Sequence, residues 1–454
     1  MSDKHGAAGN KARSVPLHRA LPALVRDPLN TLVGIANQAG GDVVRLNLGT
    51  FHPYLVTNPS HVQHVLRDNA ANFVRDRGMF WRPLKRLFGE GILAEGQAWE
   101  LSRSIVQPMF TAKRLDSIVE QMADAVSEAV DELEGGQTVD AGAVLSRIVC
   151  RAIMRVLFAD KISVPDALRM VDAQTTIATA VLSRMLVPFM PNAVPMPGDR
   201  AFRRAARTID DVMLPVVRAA REMPDEGDDV ISTLSRARDA EGRQLDERRV
   251  RNDAVAMFAG STETTFGVLT WLWPLLEAHP AVADRLYEEV GRVVGNERVN
   301  RSHLSDLTYT RMVLDEVLRL YPVAWLSPRV AAEADVIGGV RVPRGADILF
   351  SPYITQRMET VWDQPTVFDP ERFAPRRAER RHRYAHFPFG GGPHQCLGQH
   401  LFYLEALVIV ATILSRFRFR LADPAMPVPQ VGAVLQPSKN VEMTLLPLRP
   451  SVAS

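Results

Sequence analysis

A glycine-rich segment with one cysteine constrains this chain more than any other feature. It reads Phe-Pro-Phe-Gly-Gly-Gly-Pro-His-Gln-Cys-Leu-Gly from Phe387 to Gly398, here called the cysteine loop, with its thiol at Cys396. Glycines let backbone approach a bulky planar group and turn N–H groups toward the sulfur. The apolar stretch from Gln399 to Phe417 has helical periodicity. A helix N-terminus beside the thiol would help to keep it anionic. Lone cysteines are usually buried for packing, but the flanking glycines favour a thiolate metal ligand.

The spacing Phe389-x-x-Gly392-x-His394-x-Cys396-x-Gly398 resembles the haem-thiolate loop of the cytochrome P450 monooxygenases. Most of that family has arginine where His394 stands, and histidine is a common variant among soluble bacterial members. The resemblance implies a mainly α fold with a small β region, in which haem b lies between a kinked distal helix and the cysteine loop with its following helix. It also implies that Cys396 is the iron ligand and that Phe389, His394 and Gly398 contact the cofactor.

Two further segments, both before the cysteine loop, occur in the order that the family has. Glu316 and Arg319 lie three residues apart in Glu-Val-Leu-Arg, and residues at that spacing share a helix face. By itself such a pair is an ordinary surface ion pair. Downstream, Pro-Glu-Arg-Phe contains Arg372. The resemblance implies that these three residues form a buried Glu-Arg-Arg cluster, which holds the core around the cysteine loop.

The segment Phe258 to Thr265 lies within a long apolar stretch and is rich in hydroxyl residues. Glycine and Ser/Thr inside a helix invite a kink or an inserted water, which the family uses as its oxygen-binding groove with the motif small-Gly-x-acid-Thr-Thr. Two registers compete. Anchoring on Gly260 puts Glu263 at the threonine position. Anchoring on Glu-Thr-Thr keeps the usual interval to the downstream His-Pro and is preferred, with Glu263 as the acid, Thr264 as the alcohol and Ser261 at the glycine position. A buried helix with back-bonded hydroxyls is the structural alternative.

Residues suited to the haem propionates lie elsewhere in the chain. Trp99 and Arg103 place an indole N–H and a guanidinium one helical turn apart, which suits a carboxylate. The pair matches the family's motif in its C helix. Arg329 corresponds to another propionate arginine, and His394 would make the third contact.

The resemblance also locates a substrate pocket. The residues expected to line it are Ala254, Met257, Phe258, Ser261, Val323, Ala324, Trp325 and Val434. Loops around Phe80 to Leu87 and Ala178 to Val194 would complete the pocket. These residues are largely apolar, so we expect a medium-sized hydrophobic substrate, typical of secondary metabolism.

Composition agrees with a large enzyme that needs no polyanionic partner such as nucleic acid. The 454 residues are 46% hydrophobic and 23% charged, with a formal net charge of +2. We expect a disordered tail at residues 1–14 and one haem domain at residues 15–454. Of the two cysteines, Cys150 would be unpaired in the core, which indicates a reducing cytoplasm. No signal peptide or membrane anchor is apparent.

Local patterns add a few structural expectations. Asn58 is predicted to cap a helix that begins with proline. Strands are predicted at Asp42 to Leu48, Tyr54 to Thr57, Val340 to Gly345, Asp347 to Phe350 and Val441 to Leu446. The charged segment Pro224 to Arg249 is interpreted as a solvated surface connection.

The expected activity is a haem-thiolate monooxygenase, with Glu263 and Thr264 serving dioxygen activation. We expect no fused reductase after the haem domain, so NAD(P)H electrons would come through a ferredoxin or flavodoxin with its reductase. The basic segment Arg376 to Arg383 is a candidate docking site for that partner, and a solvated charge run is equally compatible. The protein is expected to be a monomer. Oxidative coupling or rearrangement without oxygen insertion is an alternative. A haem sensor, an electron carrier and a peroxide-driven enzyme fit the sequence less well.

Overall fold

The computed structural model describes residues 9–75, 78, 81–181, 184, 194–222, 227–432 and 434–448. Helices predominate and the strands are short. The helices are α1 (Leu17–Arg26), α2 (Pro28–Gln38), α3 (Pro59–Gln63), α4 (Trp81–Phe88), α5 (Gly96–Val106), α6 (Ala112–Ser117), α7 (Val119–Asp131), α8 (Ala141–Phe158), α9 (Val164–Ala180), α10 (Asp199–Glu222), α11 (Val230–Arg236), α12 (Glu247–Ala278), α13 (Pro280–Val293), α14 (Arg301–Leu304), α15 (Thr308–Leu320), α16 (Pro352–Thr355), α17 (Pro375–Ala378) and α18 (Gln399–Leu414).

The strands and short helical turns complete the secondary structure. The strands are β1 (Arg13–Val15), β2 (Val44–Leu46), β3 (Tyr54–Val56), β4 (Phe73–Val74), β5 (Thr138–Asp140), β6 (Ser327–Ala331), β7 (Asp335–Ile337), β8 (Val340–Val342), β9 (Asp347–Phe350), β10 (Phe417–Leu421), β11 (Pro429–Val431), β12 (Leu435–Pro437) and β13 (Glu442–Pro447). A π-helix spans His64–Asp68, and 3₁₀ turns span Ala70–Asn72, Gln107–Phe110, Pro370–Phe373, Arg383–Ala385 and Gly392–His394.

The chain forms two compact units. The first comprises residues 1–82 and 318–396, and the second comprises residues 83–317 and 397–454. Each unit takes segments from both the N-terminal and C-terminal parts of the chain, so neither is continuous in sequence. The single haem domain expected from the sequence stays a prediction.

The first unit is built on a six-stranded sheet in the order β1-β2-β3-β9-β6-β4. β3 and β9 are parallel, whereas β6 runs antiparallel to β9 with Arg329 opposite Ile348. Two clusters of buried apolar side chains pack against this sheet. One contains Val65, Phe73 and Phe387, and the other contains Leu46 and Ile354. The cysteine loop therefore begins at a residue that belongs to the core of this unit.

The second unit is mainly helical. Its 32-residue helix α12 packs against α8, while α9 packs along α10 and α7 along α8. A three-stranded sheet in the order β10-β13-β5 and the β11-β12 hairpin complete it. Cys150 on α8 is fully buried, as expected, and burial raises the pKa of its thiol to about 12.

Several local expectations can be compared with the structure. Asn58 caps α3 by accepting a hydrogen bond from the N–H of Ser60 at 2.9 Å, as predicted. The region from residue 9 to 14, expected to belong to a disordered tail, already contains the start of β1, which pairs with β2. The segment Pro224 to Arg249 is not simply a solvated connection, because it contains α11, whose Val230, Ile231 and Leu234 are fully buried.

The helix that follows the cysteine loop is strongly apolar. Within the residues described here, the stretch 392–414 is long and apolar enough to cross a membrane, with a mean hydropathy of 1.7, but 72% of it is buried inside the protein. Thirteen side chains of α18 are buried, from Leu401 to Leu414. A core helix of a folded protein has these properties.

Candidate active site

The cysteine loop is held by short-range backbone hydrogen bonds. The N–H of Cys396 donates to the carbonyl of Phe389 at 3.0 Å, and the N–H of Gln395 donates to Gly392 at 3.1 Å. The N–H of Gly390 donates to Phe387 at 2.9 Å. These bonds fold the loop back on itself, and the side chain of Cys396 is exposed. The loop therefore presents its thiol outward on a defined backbone.

Two glycines of the loop are required by close contacts. Gly392 has a φ of 67°, and a Cβ atom there would lie 1.7 Å from the carbonyl oxygen of Leu66. A Cβ atom at Gly391 would lie 2.5 Å from the ring of Tyr384. Since real side chains do not tolerate such distances, both positions must be glycine for the loop to adopt this position.

Two predicted cofactor residues of the first unit are basic: His394 lies in the cysteine loop and Arg329 lies on β6. His394 in the cysteine loop has its Nδ1 2.7 Å from a guanidinium nitrogen of Arg75, which directly follows β4. Arg329 on β6 is mostly buried, donates to the carbonyl of Pro328 at 2.8 Å and lies 5.2 Å from the Phe350 ring centroid. Arg75 was not predicted from the sequence, because nothing in its surroundings separates it from a surface arginine. The structure brings it to a predicted cofactor residue.

Arg319 and Arg372 hold one irregular segment of the first unit. Arg319 is fully buried and donates to the carbonyl oxygens of Gln356, Pro365 and Val367 at 2.9, 2.6 and 3.0 Å. Arg372 donates to the carbonyls of Asp363 and Gln364; the second distance is 2.9 Å. Both arginines thus satisfy carbonyl groups between residues 356 and 367. Glu316 is fully buried one turn before Arg319 on α15.

In helix α12 of the second unit, a short, partly exposed stretch separates two buried stretches. Ala254 to Phe258 and Gly267 to Leu276 are buried, whereas Ala259, Gly260, Ser261, Glu263 and Thr264 retain exposed surface. A Cβ atom at Gly260 would meet no heavy atom of the described residues within 4 Å. A core helix therefore borders open space at its midpoint.

The hydroxyl groups of this face are bonded back to the helix. Thr264 donates to the carbonyl of Gly260 at 2.7 Å, and Ser261 donates to Met257 at 2.8 Å. Thr262 is fully buried and donates to Phe258 at 2.8 Å. The hydroxyl of Ser261, at the expected glycine position, is thus directed to the helix backbone.

Glu263 is the titratable group on the exposed face of α12. Within the described part of the chain its Oε1 atom is buried and accepts no hydrogen bond. Burial raises the pKa of this carboxyl above its ordinary value. A carboxyl that keeps its proton to higher pH is suited to giving and taking protons near neutrality.

Trp99 and Arg103 lie one turn apart on α5, as the spacing predicts. The guanidinium carbon of Arg103 is 5.9 Å from the Trp99 ring centroid, and both side chains are half-buried. The buried carboxylate of Asp253 on α12 accepts hydrogen bonds from Ser102 and from the N–H of Ile92, both at 2.6 Å. This contact fixes α5 against α12, and sequence patterns do not reveal it.

The expected pocket residues have different environments. Ala254 and Phe258 are fully buried, and the ring of Phe258 packs edge-on against Phe158 on α8 at 6.2 Å. Met257 and Val323 are buried, while Ala324, Trp325 and Val434 keep some exposed surface. Residues 80, 182, 183 and 185–193 of the two expected pocket loops lie outside the described residues. On α12, the residues from Asp253 to Phe258 are buried, and the next residue that keeps exposed surface is Ala259.

The model of one protein family matches most of the chain. The cytochrome P450 family model covers residues 15–445. The chain belongs to the cytochrome P450 family.

Relatives of this cytochrome P450 include bacterial oxygenases. The cyclooctat-9-en-7-ol 5-monooxygenase of Streptomyces melanosporofaciens is 32% identical over 418 residues, which are 91% of this chain and 89% of that protein. The cyclooctatin synthase of the same organism is 30% identical over 445 residues, 96% of this chain and 93% of that protein. The pentalenene oxygenase of Streptomyces avermitilis is 28% identical over 420 residues, 92% of each chain. The protein is accordingly a monooxygenase of natural-product biosynthesis.

The residues present fit the haem that the family implies. A single exposed thiol on a glycine-rich loop offers the soft ligand that haem iron takes in this family. Arginine, histidine and indole donors suit propionate carboxylates. Among the described residues, no group of three His, Cys, Asp or Glu could hold a bare metal ion.

Proposed function

We propose that this cytochrome P450 binds one haem b through Cys396 and hydroxylates a hydrophobic natural product. The proposed cofactor-binding residues are Trp99, Arg103, Arg329, Phe389, His394, Cys396 and Gly398. Arg75 joins this set, because its contact with His394 places two basic groups side by side where a carboxylate would be favourable. Glu316, Arg319 and Arg372 form the structural cluster of the fold.

Glu263 and Thr264 are the proposed catalytic residues. Bound haem with a cysteine thiolate favours cleavage of the O–O bond of dioxygen. The Thr264 hydroxyl, now donated to the Gly260 carbonyl, can rotate to donate a hydrogen bond to a ligand in the open space beside Gly260. Burial raises the pKa of Glu263, which favours the protonated carboxyl, so this side chain is suited to passing a proton through water. Full burial of Thr262 argues against the alternative register.

The proposed substrate is a medium-sized molecule with a mainly hydrocarbon skeleton, of the terpenoid kind. Two relatives are named for cyclooctat-9-en-7-ol and pentalenene. The proposed pocket residues are predominantly apolar, with Trp325 the largest, and such linings bind ligands by burial of apolar surface. The residues proposed to line the pocket are Ala254, Met257, Phe258, Ser261, Val323, Ala324, Trp325 and Val434.

We further propose that electrons from NAD(P)H arrive through a ferredoxin or flavodoxin and its reductase, and that the enzyme works as a cytoplasmic monomer. Exposed arginines at positions 376, 377, 380 and 383 support docking of an acidic partner. Arg381 does not belong to this surface. Its guanidinium lies 4.1 Å from the Trp362 ring centroid and donates to the carbonyl of Arg372 at 2.6 Å.

The observation that carries this proposal is the exposed thiol of Cys396 on a loop that only glycine at position 392 permits. The test is an anaerobic screen of the purified ferric enzyme against terpenoid, polyketide, fatty-acid and indole ligands. We expect cyclic terpenoids to shift the Soret band as water leaves the iron. A Soret band of the ferrous carbon monoxide adduct without the thiolate shift would overturn the haem-thiolate assignment, and a response to charged ligands alone would overturn the substrate class.

A further inference from the structure

A π-helical turn lies against the cysteine loop in the first unit. It spans His64–Asp68 directly after α3, and the N–H of Asn69 donates to the carbonyl of His64, five residues back, at 2.9 Å. Such turns are rare because they disturb the regular helical ladder, and they occur frequently at functional sites. This one replaces what would otherwise be the last turn of α3.

The centre of the turn faces the glycine that shapes the loop. The carbonyl oxygen of Leu66 is the atom that a Cβ at Gly392 would approach to 1.7 Å, and the Cα of Arg67 would lie 3.2 Å away. Leu66 itself is buried in the same apolar cluster as Phe387, the first residue of the loop. A shift of the turn would therefore displace Gly392, and with it the hydrogen bond from Gln395 to Gly392.

One carboxylate holds both ends of the turn. Oδ2 of Asp335 on β7 accepts from Nε2 of His64 at 2.8 Å and from Nδ2 of Asn69 at 2.9 Å. Oδ1 accepts the N–H of Val336 at 2.7 Å, which orients the carboxylate. The side chain of Asp335 is 18% exposed. Although burial opposes ionisation, the hydrogen bond from His64 and those from Val336 and Asn69 lower the pKa of Asp335 below its usual value.

His64, which Asp335 holds, also packs against the segment that makes a second contact with the cysteine loop. The ring of His64 packs edge-on against Phe73 at 6.0 Å. Phe73 begins β4, which leads to Arg75 and its contact with His394. The contacts at Gly392 and at His394 thus come from segments that His64 belongs to or touches.

We propose that Asp335 is a positioning residue for Cys396: by clamping His64 and Asn69 it fixes the π-helical turn whose Leu66 carbonyl seats Gly392. Asp335 does not touch the cofactor in this proposal. The inference rests on the proposed function only in taking Cys396 as the iron ligand.

The first test is hydrogen exchange of the holoenzyme, read at the amides of Gln395 and Cys396. In Asp335→Ala, these amide hydrogens should exchange about ten-fold faster than in the wild type. An increase of this size is expected when hydrogen bonds to a charged group are lost. Asp335→Asn, which keeps an acceptor oxygen, should fall between them. Glu333→Ala is the matched control, because Glu333 lies two residues away in an exposed pair with Arg344 and should leave the loop unchanged.

Uniformly faster exchange in Asp335→Ala, including the amides of β9, would show a general loss of stability and overturn the proposal. Exchange equal to that of Glu333→Ala would overturn it as well.

The second test follows the ferrous carbon monoxide adduct in mild urea. Asp335→Ala should lose its thiolate-type Soret band several-fold faster than Glu333→Ala, and an equal rate would contradict the proposal. If the wild type itself lacked the thiolate band, the proposed function would fail, while the exchange measurement would still report whether Asp335 positions the loop.

Discussion

Arg319 and Gln356 hydrogen-bond each other in both directions. The guanidinium of Arg319 donates to the main-chain carbonyl of Gln356 at 2.9 Å, and the side-chain amide of Gln356 donates to the main-chain carbonyl of Arg319 at 2.9 Å. The amide also donates to Leu318 at 3.1 Å, while its oxygen accepts the N–H of Phe387 at 3.1 Å. One side chain thus joins the end of α15 to the start of the cysteine loop.

Replacing Gln356 with leucine should weaken haem retention. The change keeps the approximate volume but leaves the Leu318 and Arg319 carbonyls and the Phe387 N–H without this partner, and each stranded buried group costs about 1–3 kcal/mol. We expect a lower haem-to-protein ratio after gel filtration and a lower urea midpoint. Gln38→Leu, at an exposed position on α2, is the control. A Gln356→Leu enzyme with full haem content would show that the connection has no role in holding the loop.

The role of Gln356 could not be predicted from the sequence, and the reason is physical. Gln356 and Phe387 are 31 residues apart, and their bond joins irregular segments whose local patterns carry no periodic signal. Residue spacing does predict contacts that lie within one element. Trp99 with Arg103 on α5 and the Asn58 cap of α3 are examples.

The segment around α11 shows how charge can mislead a sequence interpretation. Its charged residues lie at the ends of the helix, where the carboxylate of Asp229 accepts from the N–H groups of Ile231 and Ser232 and pairs with Lys161 at 2.8 Å. The residues between Asp229 and Arg236 are largely buried. A charge-rich segment can therefore contain a core helix when its charges cap the helix ends.

Cys396→Ser should abolish the thiolate-type Soret band of the ferrous carbon monoxide adduct, because serine oxygen is not the electron-rich sulfur ligand that causes it. Cys150→Ser is the matched control. That thiol is fully buried on α8 and should affect stability without removing the band. Retention of the band in Cys396→Ser would disprove the ligand assignment.

Neutralising Arg376, Arg380 and Arg383 to glutamine should slow electron transfer from an acidic ferredoxin at low salt. The salt dependence should also flatten, since steering between opposite charges is screened over ~8–10 Å near physiological ionic strength. The control removes three exposed arginines of α10, at positions 203, 204 and 207. Stopped-flow reduction of the haem at several salt concentrations measures both effects. Equal rates for the two triple variants would move the docking site elsewhere.

The buried carboxyl of Glu405 should make the free energy of unfolding fall as pH rises. Its carboxyl on α18 is fully buried, its two oxygens have no hydrogen-bond partner among the described residues, and burial raises its pKa well above the ordinary value. A group whose pKa is higher in the folded state contributes stability below the unfolded carboxyl pKa of about 4.3, and this contribution is lost as pH rises through the folded pKa.

Glu405→Gln should therefore remove this pH dependence. Above about pH 4.3, the free energy of unfolding of the wild type should decline relative to the variant by up to about 1.4 kcal/mol per pH unit. Urea unfolding from pH 5 to 8 measures the difference. Glu442→Gln, at an exposed position of β13, should follow the wild type. Parallel profiles for wild type and Glu405→Gln would contradict a raised pKa.

Thr264→Ala should uncouple electron consumption from product formation. The Thr264 hydroxyl lies on the exposed face of α12, whereas Thr265 is almost fully buried and points about 100° away around the helix. Without the Thr264 hydroxyl, the hydrogen-bond donor that we propose to serve dioxygen activation is lost. The variant should therefore still oxidise NAD(P)H through the partner proteins while releasing more hydrogen peroxide and less product per electron pair.

Thr265→Ala, the matched control, should change the ratio of peroxide to product much less. If Glu263 or Thr262 proved to be the sensitive position and Thr264→Ala stayed fully coupled, the register anchored on Gly260 would be correct. Full coupling in all four variants would favour the alternative reaction, oxidative coupling or rearrangement, in which no oxygen atom is inserted.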